Sequence, residues 1–198
     1  MLIAFLGCDG SGKSAVIAGV AARLRADGAN VACGHWRPVA FAAGRGESAR
    51  HTADDPHGQE ARGLVGSIAK LGWLWLNWWV GWFRFVGRQS QAGVVLFDRY
   101  HADLLVDPVR YRYGGPSALA RLASRLMPQP DLVCFLDAPP EVLLARKQEV
   151  TPEALRRARD AYLRLAQSHP RFRVIDASRP LEQVVREVID LIHEPTAG

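Results

Sequence analysis

Cysteine is scarce in this chain, and its placement argues against two classes of protein. The 198 residues include three cysteines, Cys8, Cys33 and Cys134. An odd number of cysteines with no metal-ligand spacing indicates neither a disulfide framework nor a cysteine-ligated metal site. We therefore expect free thiols in a reducing compartment, and a cytoplasmic protein.

The sequence also lacks the marks of export, membrane insertion and nucleic-acid binding. It opens on a short apolar run rather than a charged segment followed by an apolar one, so we expect no signal peptide. Its most apolar segment, residues 71–85, is interrupted by Asn77 and Arg84 and is too short for a membrane span. No basic run carries the interleaved aromatics of a nucleic-acid module. The net charge of +5 suits small polyanionic substrates without requiring nucleic acid.

One glycine-rich stretch has the pattern of a phosphate-binding loop. Residues 7–14 read Gly-Cys-Asp-Gly-Ser-Gly-Lys-Ser and match G-x-x-x-x-G-K-[ST], between an apolar run and a helical pattern. The glycines let backbone N–H groups converge at a helix N-terminus, Lys13 adds a positive charge, and Ser14 offers a hydroxyl to Mg²⁺. The pattern predicts a nucleotide site. The residues expected to surround the phosphates are Gly7, Asp9, Gly10, Ser11, Gly12, Lys13, Ser14 and Ala15.

Strand-like and helix-like segments alternate along the rest of the chain. After the first strand, further strands are expected at 29–34, 93–98, 131–137 and 172–176. No internal repeat, low-complexity segment or domain boundary interrupts the alternation. The pattern predicts one α/β domain over residues 1–198, with a five-stranded parallel sheet flanked by helices and joined by right-handed crossovers.

Charged residues follow two of the predicted strands, at the edge where open α/β sheets bind ligands. Arg37 follows the second strand, and Asp98 and Arg99 end the third. An apolar strand that ends in an acid is typical of a Walker B segment, whose carboxylate orders Mg²⁺. We interpret Arg37 as an anion clamp rather than a surface charge, and we expect Arg99 to reach an anionic acceptor.

Two later segments are open to two interpretations each. Residues 101–115 are dense in charged and aromatic side chains, which indicates either an acceptor pocket or a decorated surface loop. Basic clusters flank a short break around residues 151–153. Residues 146–157 could therefore form a lid that closes over the phosphates, or an ordinary charged turn between two helices.

The tryptophan-rich segment is best explained as one long helix. The aromatic side chains that share its broad apolar face are Trp75, Trp78, Trp79, Trp82 and Phe85. The narrower polar stripe consists of Asn77, Gly81, Arg84 and Arg88. We expect a helix packed on the sheet, with the stripe facing water or the cleft. The alternative is an exposed aromatic face that contacts a second copy, another partner or a membrane surface.

Several motifs together resemble the thymidylate kinase-like family of P-loop nucleotide kinases, in the family's order over nearly the whole chain. They are Gly7–Ser14, Arg37-Pro38, Asp98-Arg99-Tyr100, Pro130-Asp131-Leu132 with Leu136–Glu141, and Asp176-Ala177-Ser178. The resemblance implies a P-loop NTPase fold of the nucleoside monophosphate kinase type. It also implies ATP and Mg²⁺ as cofactors and a small-molecule phosphoryl acceptor.

The resemblance assigns roles on the acceptor side of the site. Asp9 is similar to the family's carboxylate that touches the acceptor sugar, while Arg37 and Arg99 are similar to its clamps on the acceptor phosphate. Asp98 would organise Mg²⁺ together with Ser14. The residues expected around the acceptor are Asp9, Arg37, Asn77, Arg84, Arg99 and Tyr100.

The resemblance also bears on the donor side. The turn at Ala177 and Ser178 would border the adenine ring. Because Gly10 stands where some members carry an arginine, a lid cation would neutralise the transferring phosphoryl group. The candidates for that cation are Arg146, Lys147 and Arg156. The residues expected to act in the transfer itself are Lys13, Asp98, Arg99 and Arg146.

The acceptor half departs from the family's pattern. Residues 101–113 replace the serine and the Ala-Tyr-Gln-like segment that usually follow the Asp-Arg-Tyr motif, and the acceptor-side helical region at about 59–90 is tryptophan-rich. The leading expectation is transfer of the γ-phosphoryl group of ATP to dTMP. One alternative keeps this chemistry but acts on a sugar or other alcohol of a glycan or secondary-metabolite pathway. Another is a non-catalytic nucleotide-binding protein.

Overall fold

A parallel sheet forms the centre of the protein. The computed structural model describes residues 1–35, 63–108, 110–148 and 150–194. Its strands are β1 (Leu2–Leu6), β2 (Val31–His35), β3 (Val94–Asp98), β4 (Leu132–Asp137) and β5 (Phe172–Asp176). They form a five-stranded sheet in the order β2-β3-β1-β4-β5, and each neighbouring pair is parallel. The predicted five-stranded parallel sheet is confirmed. Arg37 and Pro38, which follow β2, lie outside the described residues.

Helices connect the strands and cover the sheet. They are α1 (Lys13–Ala26), α2 (Leu64–Gly81), α3 (Gly87–Ala92), α4 (Asp103–Val106), α5 (Ser117–Arg125), α6 (Pro140–Arg146), α7 (Pro152–Ser168) and α8 (Leu181–His193). A π-helical turn at Trp82–Val86 joins α2 to α3. Helix α7 begins as its sequence predicts, because Pro152 tolerates the first turn and the Thr151 hydroxyl accepts a hydrogen bond from the Ala154 N–H at 3.3 Å.

Both faces of the sheet are buried. Alternate residues of β1 point to opposite faces, as the twofold period of a strand requires. Ile3 and Phe5 belong to a core cluster that α1 and α8 complete, while Leu2, Ala4 and Leu6 belong to a second cluster on the other face. A strand covered on both faces is apolar along its whole length, which explains the unbroken apolar run before the phosphate loop.

The tryptophan-rich helix packs on the sheet through fewer residues than its sequence suggests. Trp78 is 1% exposed, and its ring centroid lies 5.4 Å from that of Phe97 and 4.5 Å from that of Tyr100. Of the predicted polar stripe, Arg84 and Arg88 are exposed and Asn77 is half-buried, but Gly81 is buried. The prediction is therefore wrong at Gly81.

The opposite side of the same helix is exposed and largely apolar. The residues on this side include Trp73, Leu76, Val80 and Phe83. Among the described residues, no helix is long and apolar enough to cross a membrane. The predicted contact of this helix with a second copy, another partner or a membrane surface stays a prediction.

The burial of Trp78 generates a stability prediction. We expect Trp78→Ala to lower the free energy of unfolding by about 3–5 kcal/mol, because it leaves a large cavity under the sheet. Phe83→Ala is the control, since Phe83 is 69% exposed and its loss should change stability by less than half as much. Urea unfolding of both variants provides the measurement. Equal losses would mean that Trp78 is not the anchor of the helix.

Candidate functional site

The phosphate loop adopts a conformation that only glycine accommodates at two points. Gly10 has a φ of +86°, and a Cβ atom there would lie 2.5 Å from the Leu143 carbonyl oxygen. A Cβ atom on Gly7 would lie 2.7 Å from the Leu136 carbonyl oxygen. Contact with neighbouring backbone therefore fixes the conformation of the loop between β1 and α1.

Lys13 opens α1 and turns back into the loop. Its ammonium donates to the carbonyl oxygens of Gly7 at 2.8 Å and Cys8 at 3.0 Å. Burial lowers the pKa of Lys13, and Arg99 lowers it further, while Asp98 and Asp9 act in the opposite direction. The loop thus holds a desolvated cation at a helix N-terminus, which is an environment suited to phosphate.

The carboxylate at the end of β3 has an oxygen available to a ligand. Asp98 is paired in the sheet with Phe5 of β1 and His35 of β2, so its position in the sheet is fixed. Its Oδ1 atom is buried, and no described residue hydrogen-bonds to it. A buried oxygen without a partner is costly unless a ligand or ion satisfies it.

These donors fit magnesium. The described residues contain no group of three or more His, Cys, Asp or Glu side chains that could hold a metal ion. Mg²⁺ does not require such a group, because it is usually held by one or two carboxylates, substrate phosphates and waters. Asp98 and the exposed Ser14 at the start of α1 carry oxygen atoms of the type that such a site uses.

A network of ion pairs joins the phosphate loop to the end of β3. The Asp9 carboxylate accepts hydrogen bonds from Arg99 Nη2 at 2.6 Å and from Arg110 Nη1 at 2.7 Å. Burial alone would raise the pKa of Asp9, but the two guanidinium groups lower it from 3.8 to about 2. Asp9 is therefore a carboxylate at neutral pH, held between two cations.

Arg99 is the centre of this network. Its backbone is left-handed, with a φ of +68°, which is uncommon for a residue with a side chain. Its second guanidinium nitrogen, Nη1, donates to Asp103 Oδ2 at 2.7 Å. Burial alone would lower the pKa of Arg99, but Asp103, Tyr111, Tyr162 and Asp9 raise it above its ordinary value.

A cavity of about 370 Å³ lies beside the network. Loop residue Asp9 and the two arginines Arg99 and Arg110 line one side of it, while Leu155 and Arg157 of α7 line another. Three guanidinium groups thus border one space next to the phosphate loop. Three carboxylates, those of Asp9, Asp103 and Asp107, line the same space, so an anionic ligand would compete with them for the guanidinium groups.

The other described residues that were predicted to surround the acceptor do not line this cavity. Tyr100 lies in the core, with its hydroxyl donating to the Pro128 carbonyl at 2.5 Å. Asn77 on α2 and Arg84 in the π turn are not among the residues that line this cavity. Arg37 cannot be assigned, because it lies outside the described residues.

The predicted adenine turn lies beside Arg146. Arg146 ends α6, and its Nη1 donates to the Ala177 carbonyl at 2.9 Å. Ser178 is exposed, and its hydroxyl and N–H both bond to Asp176, at 2.5 Å and 2.9 Å. Arg146 is therefore drawn towards the turn after β5 and away from the cavity at Asp9.

Four residues that the structure brings to the site were not predicted from the sequence to have a role there. They are Asp103, Arg110, Arg157 and Tyr162. The density of charge and aromatics in residues 101–115 was a signal for the first two, although it did not distinguish a pocket from a surface loop. Tyr162 carries no such signal, because it lies in a helix without a motif, 59 residues from the carboxylate it contacts.

Two glycines with similar backbones allow a test of the loop. We expect Gly10→Ala to abolish binding of Mg·ATP, because the new Cβ atom meets backbone that cannot move aside. Gly28→Ala is the matched control: its φ is +85°, but a Cβ atom there has nothing within 4 Å. The control should cost only the left-handed strain, roughly 1–2 kcal/mol. Calorimetric titration and thermal unfolding measure both effects, and unchanged binding by Gly10→Ala would contradict the steric argument.

The ion pairs of Asp9 generate a pH prediction. A carboxylate whose pKa is lowered from 3.8 to about 2 on folding stabilises the protein above pH 4 and loses this contribution as the pH falls towards 2. The wild-type protein should therefore lose about 2 kcal/mol more unfolding free energy between pH 5 and pH 2 than Asp9→Asn does. Asp27→Asn, at an exposed pair on α1, is the control. Identical pH dependence for Asp9→Asn and wild type would show that the pairs do not stabilise the carboxylate.

Known proteins are similar to this chain in sequence. A family model described as thymidylate kinase matches residues 85–188, more than half of the 198 residues. The thymidylate kinase of Methylobacillus flagellatus is 38% identical over 76 residues, 33% of this chain and 37% of that protein. The thymidylate kinase of Latilactobacillus sakei is 43% identical over 75 residues, 32% of this chain and 35% of that protein. The chain thus spans little more than a third of the length of these two relatives.

The likeness in fold extends over the whole chain. The crystal structure of thymidylate kinase from Ehrlichia chaffeensis superposes with a TM-score of 0.67 over 98% of both chains, at 19% sequence identity. This confirms the P-loop nucleoside monophosphate kinase fold. Because the family model spans the ends of β3, β4 and β5, which build the site around the phosphate loop, the chain belongs to the thymidylate kinase family.

Proposed function

We propose that the protein is a Mg²⁺-dependent kinase that transfers the γ-phosphoryl group of ATP to dTMP, giving dTDP. One observation carries the proposal: Asp9 of the phosphate loop and Arg99, the residue after β3, pair at 2.6 Å and line the same cavity. A phosphate-binding loop and an arginine-containing pocket that share a wall supply the two sides of a phosphoryl transfer. Catalysis in such a site consists mainly of positioning and charge neutralisation.

On the donor side, the proposed roles follow the geometry of the loop. The loop amides and Lys13 would bind the outer phosphates, and Ala177 with Ser178 would border adenine. Ser14 and Asp98 would hold Mg²⁺, which when bound neutralises charge on the phosphate oxygens. The buried, unpartnered Oδ1 atom of Asp98 supports this assignment.

On the acceptor side, Arg99 and Arg110 are the cations placed to bind a phosphate monoester. A guanidinium group can donate to two phosphate oxygens at once. Arg99 and Arg110 both pair with Asp9, and both can reorient towards a phosphate dianion while they remain in the pocket. Asp9, which lines the same cavity, would accept a hydrogen bond from the acceptor sugar. None of residues 63–90 lines this cavity, so the acceptor-side role of the helical region at 59–90 stays a prediction.

For the lid, the structure favours a different arginine from the one expected. Arg157 lines the cavity at Asp9, whereas Arg146 does not line it and donates instead to the Ala177 carbonyl. We therefore assign the cation over the transferring group to Arg157 and place Arg146 at the adenine turn. In this proposal residues 146–157 form the lid of a single domain over residues 1–198.

The proposed setting is that of a metabolic enzyme. The substrates are small molecules, and neither nucleic acid nor a membrane span is part of the proposal. We propose a cytoplasmic location on the basis of the free cysteines Cys8, Cys33 and Cys134. The exposed apolar side of α2 is the surface by which two copies would associate.

A kinetic assay with defined acceptors tests the proposal. Wild-type protein with Mg·ATP should convert dTMP to dTDP, and Lys13→Ala should lower kcat/KM by roughly 100-fold or more because it removes charge at the transferring phosphates. Arg99→Met should raise the KM for dTMP more than the KM for ATP. Arg23→Met, at an exposed pair on α1, is the control and should change neither constant.

Two results would contradict the proposal in different ways. Turnover of sugars or other alcohols, with none of dTMP, would show the same chemistry on another acceptor. Absence of Mg·ATP binding in calorimetry would remove the enzyme assignment altogether.

A further inference from the structure

The buried carboxylate of Asp103 bonds to Arg99, the arginine proposed to bind the acceptor. Asp103, at the start of α4, has a side chain that is 1% exposed. Its Oδ2 atom accepts from Arg99 Nη1 at 2.7 Å and from the Tyr111 hydroxyl at 3.3 Å, and its Oδ1 atom accepts from the Tyr162 hydroxyl at 2.7 Å. Both carboxylate oxygens are thus satisfied without water.

Asp103 forms an ion pair with Arg99. Of the three side chains among the described residues that are seen to bond to it, Arg99 is the cation, while Tyr111 and Tyr162 are neutral hydroxyls. Burial raises the pKa of each tyrosine well above its ordinary value, and Asp103 raises it further, so both remain protonated donors. A buried carboxylate is strongly disfavoured without a cation, so Asp103 and Arg99 hold each other in place.

Arg99 has two carboxylate partners of different kinds. Asp9 is 13% exposed and is shared with Arg110, and it lies in the phosphate loop where substrates enter. Asp103 is nearly inaccessible and bonds the other guanidinium nitrogen. A ligand can therefore compete for the contact with Asp9, while the contact with Asp103 persists.

We propose that Asp103 is a positioning residue: with its two tyrosine donors, it fixes the orientation in which the Arg99 guanidinium, once the acceptor displaces Asp9, meets the anionic group of the acceptor. The proposal rests on the proposed function for the identity of that acceptor. The left-handed backbone of Arg99 supports it, because such a conformation persists where surrounding contacts impose it.

Tyr162 connects Asp103 to α7, the helix whose first turns belong to the proposed lid. Its ring stacks on Phe135 of β4 with centroids 4.9 Å apart, so the hydroxyl reaches Asp103 from a fixed platform. Removing this hydroxyl alone keeps both the charge of Asp103 and the packing of the ring. Tyr162→Phe is thus a milder test than substitution of the buried acid.

A double-mutant cycle separates positioning from folding. Asp103→Asn should lower kcat/KM for dTMP by roughly 10-fold to 100-fold, mainly through the acceptor KM, with the KM for ATP unchanged. In an Arg99→Met background the same substitution should change kcat/KM by less than about twofold, because its effect passes through the missing guanidinium. Tyr162→Phe should act in the same direction by about threefold to tenfold.

Tyr113→Phe is the matched control. It also deletes a buried tyrosine hydroxyl, but this one donates to the Pro116 carbonyl at 3.0 Å, away from Arg99. Its acceptor KM should equal that of wild type. Equal losses from Asp103→Asn in both backgrounds, or an unchanged acceptor KM in both Asp103→Asn and Tyr162→Phe, would overturn the proposal.

A measurement that needs no acceptor distinguishes a failure of the proposed function from a failure of the proposed role of Asp103. In ¹⁵N-labelled protein, the Arg99 side-chain signal, assigned by its loss in Arg99→Met, should show slowed guanidinium rotation. That rotation should become fast in Tyr162→Phe and stay slow in Tyr113→Phe. If dTMP is not turned over, the proposed function fails while this result still decides the role of Asp103. The same rate of Arg99 guanidinium rotation in wild type and in Tyr162→Phe would overturn that role.

Discussion

The site depends on one contact, the ion pair between Asp9 in the phosphate loop and Arg99 at the end of β3, at 2.6 Å. Parallel strands deliver both residues to the same edge of the sheet, since β1 and β3 are hydrogen-bonded neighbours. The steric demands of Gly10 and the left-handed backbone of Arg99 bring the two side chains face to face. Without this contact the chain would have a phosphate loop and a separate basic patch rather than one cavity.

Helix α7 is tied to this edge at two points, which gives the cavity its second wall. Arg159 forms a bidentate pair with Asp137 of β4, with both distances at 2.7 Å. Further along the helix, the Tyr162 hydroxyl reaches Asp103. The spacing of three residues puts both side chains on one face of the helix, which is the face turned to the sheet. The helix that contains the end of the proposed lid is therefore held by two carboxylates, of which Asp103 also pairs with Arg99.

Sequence patterns predicted the sheet and the phosphate loop because both depend on local rules. A run such as Leu2–Leu6 is apolar throughout since both of its faces are covered, and the glycines of the loop meet backbone constraints that no other residue satisfies. The tryptophan-rich helix was harder to predict. Its apolar residues surround most of its circumference, so hydrophobicity could not identify Trp78 as the buried anchor or Phe83 as exposed.

The sequence by itself determined the parallel α/β architecture, the phosphate loop with Lys13, and the strand-end pair Asp98 and Arg99. Each of these depends on patterns within short continuous segments of the chain. Tertiary structure alone decided which charges meet. Arg110 lies 101 residues from Asp9 along the chain, and Tyr162 lies 59 residues from Asp103. No local pattern specifies such pairs, since the desolvation of a buried charge is set by everything that packs around it.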